Sequence, residues 1–84
     1  MGTKEKLVER LKATPVDFTW SEASRLLSLL GYTKTNKGKT SGSRVCFSSP
    51  GKAPVMLHRP HPGNEMKRYA VIQLLQLLQR NGDI

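Results

Sequence analysis

Apolar positions recur at helical spacing in three stretches of the chain, and at a spacing of two between the second and the third. Over 3–13, Leu7, Val8 and Leu11 fall on one side of a short helix, with Lys4, Glu5, Arg10 and Lys12 outward. Thr14-Pro15 ends it, because a residue before proline avoids the helical region. Thr19-Trp20-Ser21-Glu22 is a capping box that starts a second helix at Trp20. Ala23, Leu26, Leu27 and Leu30 then form its apolar stripe, and Gly31 supplies the left-handed residue beyond its end. A last helix is expected from about 66 to 81, with Val71, Leu74, Leu75 and Leu78 inward. Its outward positions are Gln73, Gln76, Gln79 and Arg80, and Gly82 closes it.

The middle of the chain reads as strands at 32–36, 44–48 and 55–58, with a polar loop over 37–43. Ser49-Pro50-Gly51-Lys52 is a turn, and two prolines and a glycine constrain 59–64. The order helix, helix, three antiparallel strands, helix predicts an α+β domain whose helices cover one sheet face. If Val45 and Phe47 share that face with Val55 and Leu57, then Phe47 pairs with Val55 and Val45 with Leu57. Arg44 then faces His58, about 5 Å away between Cβ atoms, and Cys46 faces Met56, all on the open side.

At 84 residues the chain makes one domain, 1–84, burying roughly 60–65% of the surface of its unfolded state. It has no apolar run of the roughly 18–20 residues that a bilayer demands, and its lysine-rich start has no signal-peptide core. A soluble cytoplasmic protein without a membrane partner is the expectation. One cysteine, Cys46, excludes an internal disulfide and suits a reducing compartment. Charge sharpens the picture: residues 31–68 hold eight Lys or Arg against one acid, while the flanking segments are nearly balanced. Such segregation points to a polyanion, nucleic acid first, or to an acidic protein. A merely solubilising surface would mix its charges more evenly.

The second helix ending LLSLLGY, the GSRVCF entry to a strand and the closing HRPHPGNEMKRYAVIQLLQLLQRNGDI together resemble HicA, the toxin of a bacterial toxin-antitoxin pair. The similarity covers about 21–84. It is carried by Gly42-Ser43, His61-Pro62-Gly63, Glu65-Met66-Lys67 and Gly82-Asp83-Ile84. The resemblance implies an α-β-β-β-α core like that of double-stranded RNA-binding domains over 20–84, with 3–13 an additional N-terminal helix that enlarges a small core. It further implies metal-independent cleavage of messenger RNA and a HicB-like antitoxin as neutralising partner. HicA toxins carry histidine after the Gly-Ser, the residue assigned to catalysis, and here that position is Arg44. A guanidinium stays protonated at neutral pH, so it binds phosphate but cannot act as general base.

Metal-free RNA cleavage needs a base at the 2′-oxygen, charge stabilisation at phosphorus and an acid for the leaving 5′-oxygen. His58 and His61 are the only histidines. With Arg44 on the phosphate, His58 is the candidate base, and His61 or Lys39 stands by; loop structure is the plain alternative for both histidines. An outward arginine that only spaces the sheet accounts for Arg44 about as well. Lys34, Lys37, Lys39, Ser43, Arg44, Lys52, Arg59, Lys67 and Arg68 are candidate RNA contacts, or else a solvated surface. His58, His61 and Cys46 lack a fourth ligand for zinc, so no metal or other cofactor is expected. Gly38-Lys39-Thr40 lacks the first glycine and the following helix of a phosphate-binding loop. Phe18, Trp20, Tyr32, Phe47 and Tyr69 are too scattered for a stacking platform, and most are assigned to the core. A non-catalytic RNA- or antitoxin-binding module of the same fold is the rival to the nuclease.

Overall fold

The computed structural model describes residues 2–35, 44–60 and 63–84, and of Arg44 the backbone only. Helix α1 (Thr3–Lys12) opens with the Gly2 amide donating to the Glu5 carboxylate at 2.8 Å. It ends through Thr14, whose φ of 44° is a left-handed conformation that a β-branched residue adopts at a cost. Helix α2 (Trp20–Leu29) starts at the expected capping box: the Glu22 amide donates to Thr19 Oγ1 at 3.2 Å and the Thr19 amide to Glu22 Oε1 at 3.0 Å. At its end the Gly31 amide donates to the Ser28 carbonyl and the Tyr32 amide to the Leu27 carbonyl, with Gly31 at φ 95°. This paired closure satisfies carbonyls that the helix cannot.

Strands β1 (Thr33–Thr35), β2 (Arg44–Ser48) and β3 (Val55–His58) form an antiparallel sheet in the order β1-β2-β3. Strand β1 starts one residue later than the alternation suggests, because the Tyr32 amide is engaged at the end of α2. Helix α3 (Arg68–Arg80) likewise starts two residues late. The Met66 amide donates to the Phe18 carbonyl at 2.8 Å and the Trp20 amide to the Asn64 carbonyl at 2.7 Å, so 64–66 is held extended against the entry to α2. α3 ends as α2 does, with the Gly82 amide on Gln79, the Asp83 amide on Leu78 and Gly82 at φ 80°.

One core lies between the sheet and the helices. Phe18, Leu26, Leu27, Val55, Leu74 and Leu78 are its largest fully buried members, with Leu11 of α1 among them. Trp20 of α2 meets Phe47 of β2 at a tilted ring-to-ring distance of 6.0 Å. The helix over 3–13 is therefore a wall of this core. Arg10, expected to point outward, lies across to α2, donating from Nε to Glu22 Oε2 at 2.6 Å and from Nη2 to Asp17 Oδ1 at 3.2 Å. Its guanidinium stands 5.8 Å from the centre of the Phe18 ring.

Candidate functional site

The open sheet face follows from strict alternation along β3. Val55 and Leu57 are buried while Met56 and His58 are exposed. The β2–β3 register is the one that alternation predicts: Arg44 pairs with His58, Val45 with Leu57, Cys46 with Met56 and Phe47 with Val55. On the other side Thr35 pairs with Cys46 and Thr33 with Ser48, so small polar residues extend the face across β1. His58 thus ends the open face, opposite the backbone position of Arg44. The Arg44 side chain, His61, Lys37, Lys39 and Ser43 lie outside the described residues.

Beside His58 the edge of β3 and the first turns of α3 enclose a cleft of about 250 Å³. Met56, His58 and Arg59 line one side, and Glu65, Lys67 and Tyr69 the other. Lys67 caps α3 without a side-chain bond, Arg68 follows it, and no acid sits in the first turn. Two cations there face the positive end of the helix dipole, an arrangement that an incoming anion relieves. Tyr69 is 65% exposed, whereas Phe18, Trp20, Tyr32 and Phe47 are all buried. The assignment of most aromatics to the core holds for those four, and Tyr69 is the one outside it. Helical phase would have shown it: Val71, Leu74 and Leu78 define the inward side, and Tyr69, two residues before Val71, falls away from it.

Two candidate RNA contacts lie apart from this site. Lys34 pairs with Phe47, so it belongs to the helix side of the sheet, in a cleft with Ser24 and Ser28 of α2. Lys52 pairs its ammonium with the carboxylate of Asp83 and stands 5.2 Å from the centre of the Tyr32 ring. Asp83 also accepts from the Tyr32 hydroxyl at 2.5 Å, and Asn81 Nδ2 donates to that hydroxyl at 2.7 Å and to the Ala53 carbonyl at 3.1 Å. Burial, followed by the hydrogen bond to Asp83, holds the Tyr32 phenol above its ordinary pKa, against the smaller opposing effect of Asn81. Arg59 and Lys67 are exposed and line the cleft with His58, and Arg68, also exposed, is the first residue of α3. Among the described residues no three His, Cys, Asp or Glu side chains gather as a metal site requires.

An α+β domain with a three-stranded antiparallel sheet, helices on one face, and helix-sheet-helix order after α1 belongs to the double-stranded RNA-binding-domain-like class. Residues 20–79 match the family described as "HicA toxin of bacterial toxin-antitoxin", and the chain belongs to that family. It is thus a toxin-family member of a toxin-antitoxin system, whose natural partner is an antitoxin. Helix α1 lies before the matched segment. Searches of curated proteins and of solved structures gave no match. Among the described residues no helix is long and apolar enough to cross a membrane.

Proposed function

We propose that the chain is a ribonuclease toxin that cleaves messenger RNA at the His58 end of the open sheet face, without a metal, and is silenced by a HicB-like antitoxin lying over that face. The observation that carries this reading is the β2–β3 register, which sets His58 opposite the position of Arg44 beside an electropositive cleft. His58 takes the proton of a 2′-hydroxyl as its oxygen attacks phosphorus. Arg44 neutralises the phosphate oxygens, and the bond to the 5′-oxygen breaks. That leaving oxygen takes a proton from an acid, for which His61 and Lys39 are the candidates, leaving a 2′,3′-cyclic phosphate and a 5′-hydroxyl. Arg59, Lys67 and Arg68 hold flanking phosphates. The cytoplasm, where messenger RNA resides, is the proposed compartment.

One observation favours a second reading, in which the same face binds RNA or antitoxin without cleaving: Arg44 follows Gly42-Ser43, where the resemblance to HicA toxins implies a histidine. Incubating the pure chain with messenger RNA in EDTA separates the two. Cleavage that falls about 10²- to 10⁴-fold in His58→Ala is the expected result for a general base. Intact RNA with salt-dependent binding selects the binding module instead.

A further inference from the structure

We propose that the cleft between β3 and α3 is a pocket for one unpaired nucleobase, stacked on Tyr69, adjacent to the phosphate held at His58. This rests on the reading of the chain as an RNA-binding protein and adds to it a single-strand requirement. Two large side chains of the lining, one aliphatic and one aromatic, are exposed: Met56 is 49% and Tyr69 65% exposed. Tyr69 therefore presents most of its surface to solvent beside the cleft. Gln73 lies one helical turn beyond Tyr69 on the same side of α3 and lines the same cleft, as does Glu65. A ring wall with an amide and a carboxylate at its margin is what a base requires, since its face stacks while its edge offers donors and acceptors. At about 250 Å³ the space is below the roughly 300–1,000 Å³ of a drug-sized site, so it suits one ring system.

Charge sets the rest of the occupant. Arg59 and Lys67 rim the cleft, so a base that enters brings its phosphate against cations. In a duplex both faces of a base are stacked and its edge is paired, which bars it from such a pocket. Other domains of this class hold duplex RNA by its shape and backbone. The exposed tyrosine therefore reverses the preference that the fold alone suggests.

The test measures fluorescence anisotropy of a labelled 2′-O-methyl oligonucleotide, which has no free 2′-hydroxyl to attack phosphorus, alone and annealed to its complement. The full chain should bind the single strand more tightly than the duplex. Tyr69→Ala should weaken single-strand binding about tenfold, within the range for loss of one stacked base, while Tyr69→Phe stays within about twofold. Replacing the nucleotides by abasic ones should erase the difference between the natural chain and Tyr69→Ala. Equal affinity of Tyr69→Ala, a preference for duplex, or no RNA binding by the natural chain each overturns the proposal. Tight single-strand binding without cleavage of ordinary RNA defeats the nuclease reading and spares the pocket. Cleavage that Tyr69→Ala leaves unchanged does the reverse.

Discussion

Replacing Lys52 by methionine keeps the aliphatic stem and removes the charge, and it separates a structural cation from an RNA contact. The ammonium is paired with Asp83, whose side chain is only 5% exposed, while that of Lys52 is 29% exposed. In Lys52→Met the Asp83 carboxylate keeps the Tyr32 hydroxyl but loses its charged partner. A hydrogen bond to a charged group contributes about 1.5–3 kcal/mol and an ammonium over a tyrosine face about 0.5–1 kcal/mol. The partial exposure of Lys52 draws the total toward about 2 kcal/mol. For a domain of this size that lowers the melting temperature by roughly 8–16 °C, read by circular dichroism. The binding readout is the slope of log affinity for single-stranded RNA against log salt. Lys52→Met should leave it unchanged, whereas Arg59→Gln and Lys67→Gln should each reduce it by about 0.7. A melting temperature within about 2 °C of the natural chain, or a slope reduced by about 0.7 in Lys52→Met, would refute the reasoning.

Leu11→Ala should cost about 2–5 kcal/mol, because Leu11 is fully buried in the shared core. Against a total of about 4–13 kcal/mol for a chain of this length, a loss below about 1 kcal/mol in urea melts would show that α1 is peripheral. Burial pushes the Glu22 carboxyl up, but hydrogen bonds from Arg10 and Thr19, with the charge of Arg10, outweigh it and hold its pKa below the ordinary value. The stabilisation is therefore present above the unfolded-state pKa of about 4.3 and is lost as pH falls through the lower folded value. Glu22→Gln, which still caps Thr19, should be about 1 kcal/mol less stable at neutral pH, and its urea midpoint should converge with that of the natural chain as acid protonates the Glu22 carboxyl of the folded state. A constant gap between the two midpoints would contradict that assignment.

What the sequence disclosed was whatever local chemistry or strong alternation determines. Thr19 and Glu22 announce the start of α2 because each satisfies the other's backbone amide. Val45, Phe47, Val55 and Leu57 fix the β2–β3 register because a slip of one residue would turn them all to the open side. Strand β1 carries Thr33, Lys34 and Thr35, with no apolar set to choose a register. The side to which Lys34 belongs was therefore not legible until Phe47 was seen to pair with it. The Lys52–Asp83 pair joins residues 31 apart, a separation that no local pattern reports. The place of Tyr69 needs a further step: it separates from the neighbouring apolar stripe only when the helical phase is followed residue by residue.

The two helix closures account for how charge is distributed over the fold. Each places the residue after its glycine, Tyr32 in one and Asp83 in the other, so that the hydroxyl of the first donates to the carboxylate of the second. Asp83 then neutralises Lys52, while Glu22 and Asp17 neutralise Arg10. Three of the six acids are thereby paired with cations away from His58. Around the cleft beside His58, Arg59 and Lys67 stand with one acid among the described lining residues, Glu65. With those three acids engaged elsewhere, Arg59 and Lys67 beside the cleft attract an approaching polyanion toward the imidazole.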